Sequence, residues 1–314
     1  MRLDDQGFSN NVSDQRGQSF GGGGGGGLGG GMFGMLFGLV LSRFGIGGVL
    51  ILLLGYCALS TFGGGGGGAG LGVGGPGTAV APHQTAQAGG KTAQEICSVD
   101  QASAFSCKVL GSTEETWTRV FQAQGQQYQA PGFTFYSGNG RSGCGAAQAA
   151  MGPFYCPSDQ NIYVDTSFYA ELQTKFGAAG DFAQAYVIAH EVGHHIQKLT
   201  GVLDQARRQQ GRVSATEGNA VQVRVELQAD CYAGVYAANA RDRQGRSILE
   251  PGDVQEGLTA AAAIGDDTLQ RQAQGRVRPE SFTHGSAEQR QRWLQRGLDT
   301  GDPAACDTFS AASV

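Results

Sequence analysis

The sequence predicts an α+β domain in which helices dominate, preceded by one transmembrane helix. Three observations predict it. Glycine makes up 54 of 314 residues, against a usual share of about 7%, and it is concentrated in Gly21–Gly31 and Gly63–Gly75, tracts that cannot bury a core. From about Lys91 onward apolar residues recur mainly at helical spacing, with capping signals ahead of several runs. Strand patterns in the same region are short and few.

Taken in order, residues 1–43 read as a glycine-rich N-terminal segment. Residues 44–62 form an apolar stretch of about 19 residues, enough to cross a bilayer. Starting the span at Phe44 keeps Arg43 out of the hydrocarbon, where it would cost about 2.5–3.5 kcal/mol. Arg2, Arg16 and Arg43 precede the span and the next cation is Lys91. This asymmetry predicts a single-pass anchor with a cytoplasmic N-terminus and an extracytoplasmic C-terminal domain, in or beyond a bacterial inner membrane. A cleaved leader fits less well, because the preceding region is long and Ala58-Leu59-Ser60 is a poor cleavage site. Residues 63–90 read as a flexible Gly/Ala-rich linker, and residues 91–314 as the folded domain.

Within that domain helices are expected near Val99–Leu110, Ser112–Gln124, Ser167–Phe176, Asp181–Leu199, Ser214–Arg243, Asp253–Ile264 and Ser286–Arg296. Ser112-x-x-Glu115, Ser214-x-x-Glu217 and Ser286-x-x-Gln289 read as capping boxes. Strands are expected at Phe133–Tyr136 and in a hairpin whose arms lie around Phe154–Pro157 and Ile162–Asp165.

The chemistry is concentrated in His190-Glu191-Val192-Gly193-His194, inside the apolar helix 181–199. Residues four apart on a helix are offset by only about 40°, so His190 and His194 share a face and can bind one tetrahedral zinc. Glu191 lies on the adjoining face, where it can serve as general base. A catalytic zinc needs a third protein ligand. Glu226 and Asp230 supply candidates, four apart on a face flanked by Val221, Val223, Val225, Ala229 and Ala233. Glu226 reads as the third ligand, and Asp230 as acceptor for the free ring N–H of His190. The competing reading is a solvated or salt-bridged acid pair near Arg224. Residues 197 and 200 are Gln and Thr, which excludes the three-His metzincin pattern. His195 points about 100° away from His194 and reads as a polar neighbour or a satisfied surface histidine. Two His and one Glu is the gluzincin arrangement.

The run from His190 to Gln197, the run from Val225 to Gly234, and Ser281-Phe-Thr-His-Gly285 closely resemble the putative neutral zinc metallopeptidase family of bacterial membranes. Gly152-Pro-Phe-Tyr-Cys-Pro157 with Ile162-Tyr-Val-Asp165 looks like the same family's upstream hairpin. The resemblance spans roughly residues 95 to 310 and implies a gluzincin-type fold, a bound zinc ion and peptidase activity. In that chemistry zinc lowers the pKa of its water to about 7, and Glu191 takes the proton and passes it to the leaving amine. His284, in a loop before the Ser286 capping box, is the candidate donor to the developing oxyanion. Its competing reading is a surface or capping residue. The 154–165 hairpin offers an edge that could hold an extended peptide by main-chain hydrogen bonds, or be an ordinary structural hairpin.

Apart from Cys57, six cysteines remain: Cys97, Cys107, Cys144, Cys156, Cys231 and Cys306. An even set in an extracytoplasmic domain suggests disulfides. Six allow fifteen connectivities, and sequential pairing is the expectation. A net charge of −5 without a basic tract argues against nucleic acid as partner. The helix-spaced arginines near the C-terminus, Arg290 among them, read as a solvated face. Two function classes follow: a zinc endopeptidase acting on peptide or protein substrates, or a zinc-stabilised, non-catalytic binding or chaperone-like module.

Overall fold

The computed structural model describes residues 1–18 and 90–314, which belong to one compact unit. It is mostly helical with a small sheet, as an α+β fold requires. In chain order the elements are β1 (Val12–Asp14), α1 (Ala93–Cys97), α2 (Gln101–Ala123), β2 (Gly132–Tyr136), β3 (Asn139–Ser142), β4 (Gly145–Gln148), β5 (Phe154–Cys156) and β6 (Asn161–Asp165). Then come α3 (Ser167–Thr174), α4 (Asp181–Leu199), α5 (Val202–Gln210), α6 (Ala215–Asn239), α7 (Asp253–Ala263), α8 (Asp266–Gln274) and α9 (Ala287–Thr300). Among the described residues no helix is long and apolar enough to cross a membrane. The span expected at 44–62 and most of the linker expected at 63–90 lie outside the described residues.

The main sheet has the order β1-β2-β6-β5. β1, β2 and β6 run parallel, and β5 returns antiparallel to β6 with Tyr155 opposite Ile162, which is the expected hairpin. Phe133, Phe135, Ile162 and Val164 are fully buried and join the sheet to the helical core. β1 comes from the N-terminal segment that the sequence reading kept apart from the domain. The domain therefore starts well before residue 91.

Two expected helices, 99–110 and 112–124, are one. α2 is capped by Asp100, whose carboxylate accepts from Ser103 N–H at 2.7 Å, and it runs unbroken for 23 residues. Ser112, the expected cap, is 2% exposed in its middle, because Leu110 and Trp117 continue one apolar face across it. Short-range capping chemistry loses here to packing. The boxes at Ser214 and Ser286 do form. Sequence reading missed α5 and α8, both short and strongly polar, and the β3–β4 hairpin.

α4 lies at the centre, packed against α6, α7 and α2. Its approach to α6 needs Gly193, where a Cβ would stand 2.9 Å from the backbone of Ala229. Glycine inside the pentad thus lets the two chemistry-bearing helices meet. The cysteines pair sequentially, 97–107, 144–156 and 231–306.

Candidate metal centre

α4 presents His190 and His194 toward α6, with their ring centroids 4.8 Å apart. From α6, Glu226 Oε2 lies 3.2 Å from His190 Nε2 and 3.6 Å from His194 Nε2. Donors bound about 2.0–2.1 Å from a tetrahedral zinc stand about 3.3 Å from one another, so these separations fit one such ion. Two imidazoles and one carboxylate also leave a fourth position for a reacting group. Among the described residues a second close cluster, Asp181, Asp253 and Glu256, contains no imidazole, and the Met1 ammonium sits 2.6 Å from Asp181.

The remaining nitrogens and oxygens of the triad are all held. His190 Nδ1–H donates to Asp230 Oδ1 at 2.8 Å, and His194 Nδ1–H donates to Gln197 Oε1 at 2.9 Å. Each ring therefore turns its Nε2 toward Glu226. Gln197 is fixed in turn through Nε2, at 2.7 Å from Val225 C=O and 3.0 Å from Gln228 Oε1. Gln222 donates to Glu226 Oε1 at 2.9 Å, leaving Oε2 for the imidazoles.

Asp230 is 0% exposed, and burial alone would force its carboxyl to stay protonated. Arg290 prevents this, with Nε and Nη2 each 2.9 Å from one of its oxygens. Tyr186 donates to Asp230 Oδ1 at 2.5 Å. Burial opposes the charge, yet the cations hold the Asp230 pKa below its ordinary value. Arg290 is itself 2% exposed, which corrects its reading as part of a solvated face. Its signal was available: Trp293, Leu294 and Gly297 follow at i+3, i+4 and i+7, so helical spacing puts Arg290 on the buried face. Tyr186 stands four before His190, on the same face.

Burial works against charge on the imidazoles too. The Asp230 carboxylate nevertheless raises His190 to about 9, and Glu226 raises His194. Glu226 is held well below the carboxylate range by His194 and by hydrogen bonds from both rings, despite its burial. Arg290 compensates Asp230, whereas the Glu226 carboxylate faces the two imidazoles, a donor set whose negative charge a divalent cation would balance.

Glu191 is buried, and that burial raises its pKa against the nearby histidines. The backbone N–H of Tyr155 on β5, the last strand in the described sheet, lies near enough to favour its charged form. His195, read as a polar neighbour or a satisfied surface histidine, is not at the surface: it is 0% exposed. Its Nε2–H donates to Gln129 C=O at 2.6 Å, and its Nδ1 accepts from Tyr155 OH at 3.0 Å. Burial lowers its pKa to about 4, so it is a neutral strut between α4, β5 and the loop before β2.

His284 comes near the triad closely enough that it and Glu226 shift each other's titration. Asp266, which sequence reading missed, shapes its loop. Asp266 Oδ2 accepts the backbone N–H of Thr283, His284 and Gly285 at 2.7, 2.6 and 3.1 Å. His284 Nδ1–H lies 3.3 Å from Asp266 Oδ1, so its Nε2 is the free edge. All six residues singled out from sequence therefore gather in one region of the fold.

A family model described as "Putative neutral zinc metallopeptidase" matches residues 1–309. The chain is 53% identical over 210 residues to "Uncharacterized protein YpfJ" of Escherichia coli (strain K12), covering 67% of this chain and 72% of that protein. It is 47% identical over 219 residues to "Uncharacterized protein Mb2605" of Mycobacterium bovis and to "Uncharacterized protein Rv2575" of Mycobacterium tuberculosis (strain H37Rv), covering 66% of this chain and 72% of each. No solved structure matches the chain.

Proposed function

The chain belongs to the putative neutral zinc metallopeptidase family, and from that premise we propose that it is a zinc endopeptidase whose metal is held by His190, His194 and Glu226. The convergence of the two Nε2 atoms on Glu226 Oε2 carries the proposal. Zinc supplies Lewis acidity and activation of water near neutral pH. Glu191 takes a proton from the attacking water as its oxygen bonds to the scissile carbonyl carbon. It then delivers that proton to the leaving nitrogen as the C–N bond breaks. The burial that raises its pKa suits a group that must both accept and return a proton. His284, oriented through Nδ1 by Asp266, offers Nε2–H to the developing oxyanion. Asp230, held charged by Arg290, keeps His190 in the tautomer that binds metal.

β5 supports an extended peptide as substrate. It is the last strand in the described sheet, and its Tyr155 backbone N–H lies near enough to Glu191 to favour that carboxylate, so a strand laid along it would pass the general base. The domain is proposed to work outside the cytoplasm. Three disulfides, all between cysteines of the described domain, suit an oxidising compartment.

The test is a comparison of the purified full chain with its Glu191→Gln variant on an unbiased peptide library, with bound metal measured in both. The expected result is one zinc per chain in each, and a loss of cleavage of about 10²–10⁴-fold in the variant. Stoichiometric zinc with no cleavage by the unaltered chain overturns the enzyme in favour of a binding module. Absence of zinc from a folded chain overturns the metal centre.

A further inference from the structure

Residues 1–18 are built into the domain. β1 pairs with β2 in the register Val12↔Phe133, Ser13↔Thr134, Asp14↔Phe135. Backbone bonds from Phe133 N–H to Asn11 C=O at 2.8 Å and from Gln15 N–H to Phe135 C=O at 2.7 Å belong to the same ladder. Ahead of the strand, Arg2 N–H donates to Ile248 C=O at 2.8 Å and Ser9 N–H to Cys107 C=O at 3.2 Å. Leu3 and Val12 lie in the main core. The Glu114 carboxylate accepts from Ser9 Oγ at 2.7 Å and Asn11 Nδ2 at 2.8 Å. Even α2 is shaped for the passage, since a Cβ at Gly111 would stand 2.8 Å from Gly7 C=O.

Paired strands lie about 4.8 Å apart, whereas the hydrocarbon core of a bilayer is about 30 Å thick. β1 and β2 cannot face each other across it. A single crossing by residues 44–62 would pull β1 from its sheet and strip the cover from Phe133 and Phe135. Two complete spans need roughly 40 apolar residues, and Met32–Phe62 is too short even before Ser42, Arg43, Ser60 and Thr61 are set aside.

We infer that residues 1–18 and 90–314 occupy the same side of the membrane. The orientation read from the arginine asymmetry, N-terminus inside and domain outside, is therefore not that of the folded protein. Two of the three arginines behind that reading have structural partners instead. Arg2 Nη1 donates to Ser247 C=O at 2.8 Å. Arg16 lies 2.8 Å from Asp14 and 4.7 Å over the Phe135 ring. This inference stands whether or not the zinc site turns over peptides.

The test uses the full chain in intact bacterial cells, carrying Cys57→Ser. Asn10→Cys and Gln209→Cys, both at exposed positions, are compared for labelling by a membrane-impermeant maleimide before and after the membrane is opened. The two positions are expected to behave alike, both labelled at once or both protected until lysis. Labelling of one with protection of the other overturns the inference. A second variant, Ser13→Cys with Thr134→Cys, places cysteines at register partners. After oxidation and cleavage within residues 63–90, the N- and C-terminal fragments are expected to stay joined until reduced. Fragments that separate without reductant, with the three native disulfides intact, overturn it as well.

Discussion

Replacing Arg290 with Met tests the centre at a residue that touches no metal ligand's donor atom. The guanidinium makes two 2.9 Å bonds to Asp230, and both partners are almost wholly buried. Removing one member of a buried pair costs about 3–5 kcal/mol, because the other charge is left uncompensated. Asp230 keeps Tyr186 at 2.5 Å and His190 at 2.8 Å, so the lower end, about 3 kcal/mol, is expected. Asp230→Asn alone removes the acceptor that orients His190 and should weaken zinc by about 10–100-fold. In the double variant the uncompensated charge is gone, so part of the Arg290→Met loss should be recovered. The assay is urea denaturation of the four proteins in the metal-free state, with chelator competition for zinc affinity. Strictly additive losses, or a cost for Arg290→Met below about 1 kcal/mol, would refute a buried, charge-compensating pair.

Three further outcomes are expected. His195→Phe leaves Tyr155 OH and Gln129 C=O without their partner and should cost about 1–3 kcal/mol in denaturation for each group stranded, with His195→Gln recovering part. Removing the Cys231–Cys306 disulfide opens a separation of 75 residues, a loss of about 4 kcal/mol on the chain-entropy account. It should also weaken zinc binding measured by chelator competition, because Cys306 C=O holds Gln228, which holds Gln197 against His194. Asp14 is held below its ordinary pKa of 3.8 by Arg16 and Lys91, against the effect of burial. Its contribution is complete above 3.8 and lost as pH falls through the lower folded value. Asp14→Asn should flatten the fall in stability below pH 4, measured by denaturation across pH, and an unchanged slope would remove Asp14 from the account.

How much was legible follows the range of each interaction. His190, Glu191 and His194 could be placed together because one helical turn fixes them. Glu226 and Asp230 could be paired for the same reason, and the boxes at Ser214 and Ser286 are three-residue contacts. Ser112 shows the limit, since an identical local signal is overruled where the apolar face of α2 runs through it. Arg290 was legible only in principle: its spacing to Trp293, Leu294 and Gly297 marked a buried face, but not the carboxylate 60 residues away that makes burial tolerable.

By itself, then, the sequence determined a predominantly helical α+β domain and the two helices that bring imidazoles and carboxylates to one centre. Both depend on spacings that backbone geometry converts directly into shared faces. Tertiary structure alone decided that Arg290 and Tyr186 keep Asp230 charged, that Asp266 shapes the His284 loop, that His195 is buried against Tyr155, and that the first eighteen residues complete the sheet. Each of these joins groups far apart along the chain. Such pairs are selected by packing and by the cost of leaving a buried charge or backbone group unmatched, which no local pattern records.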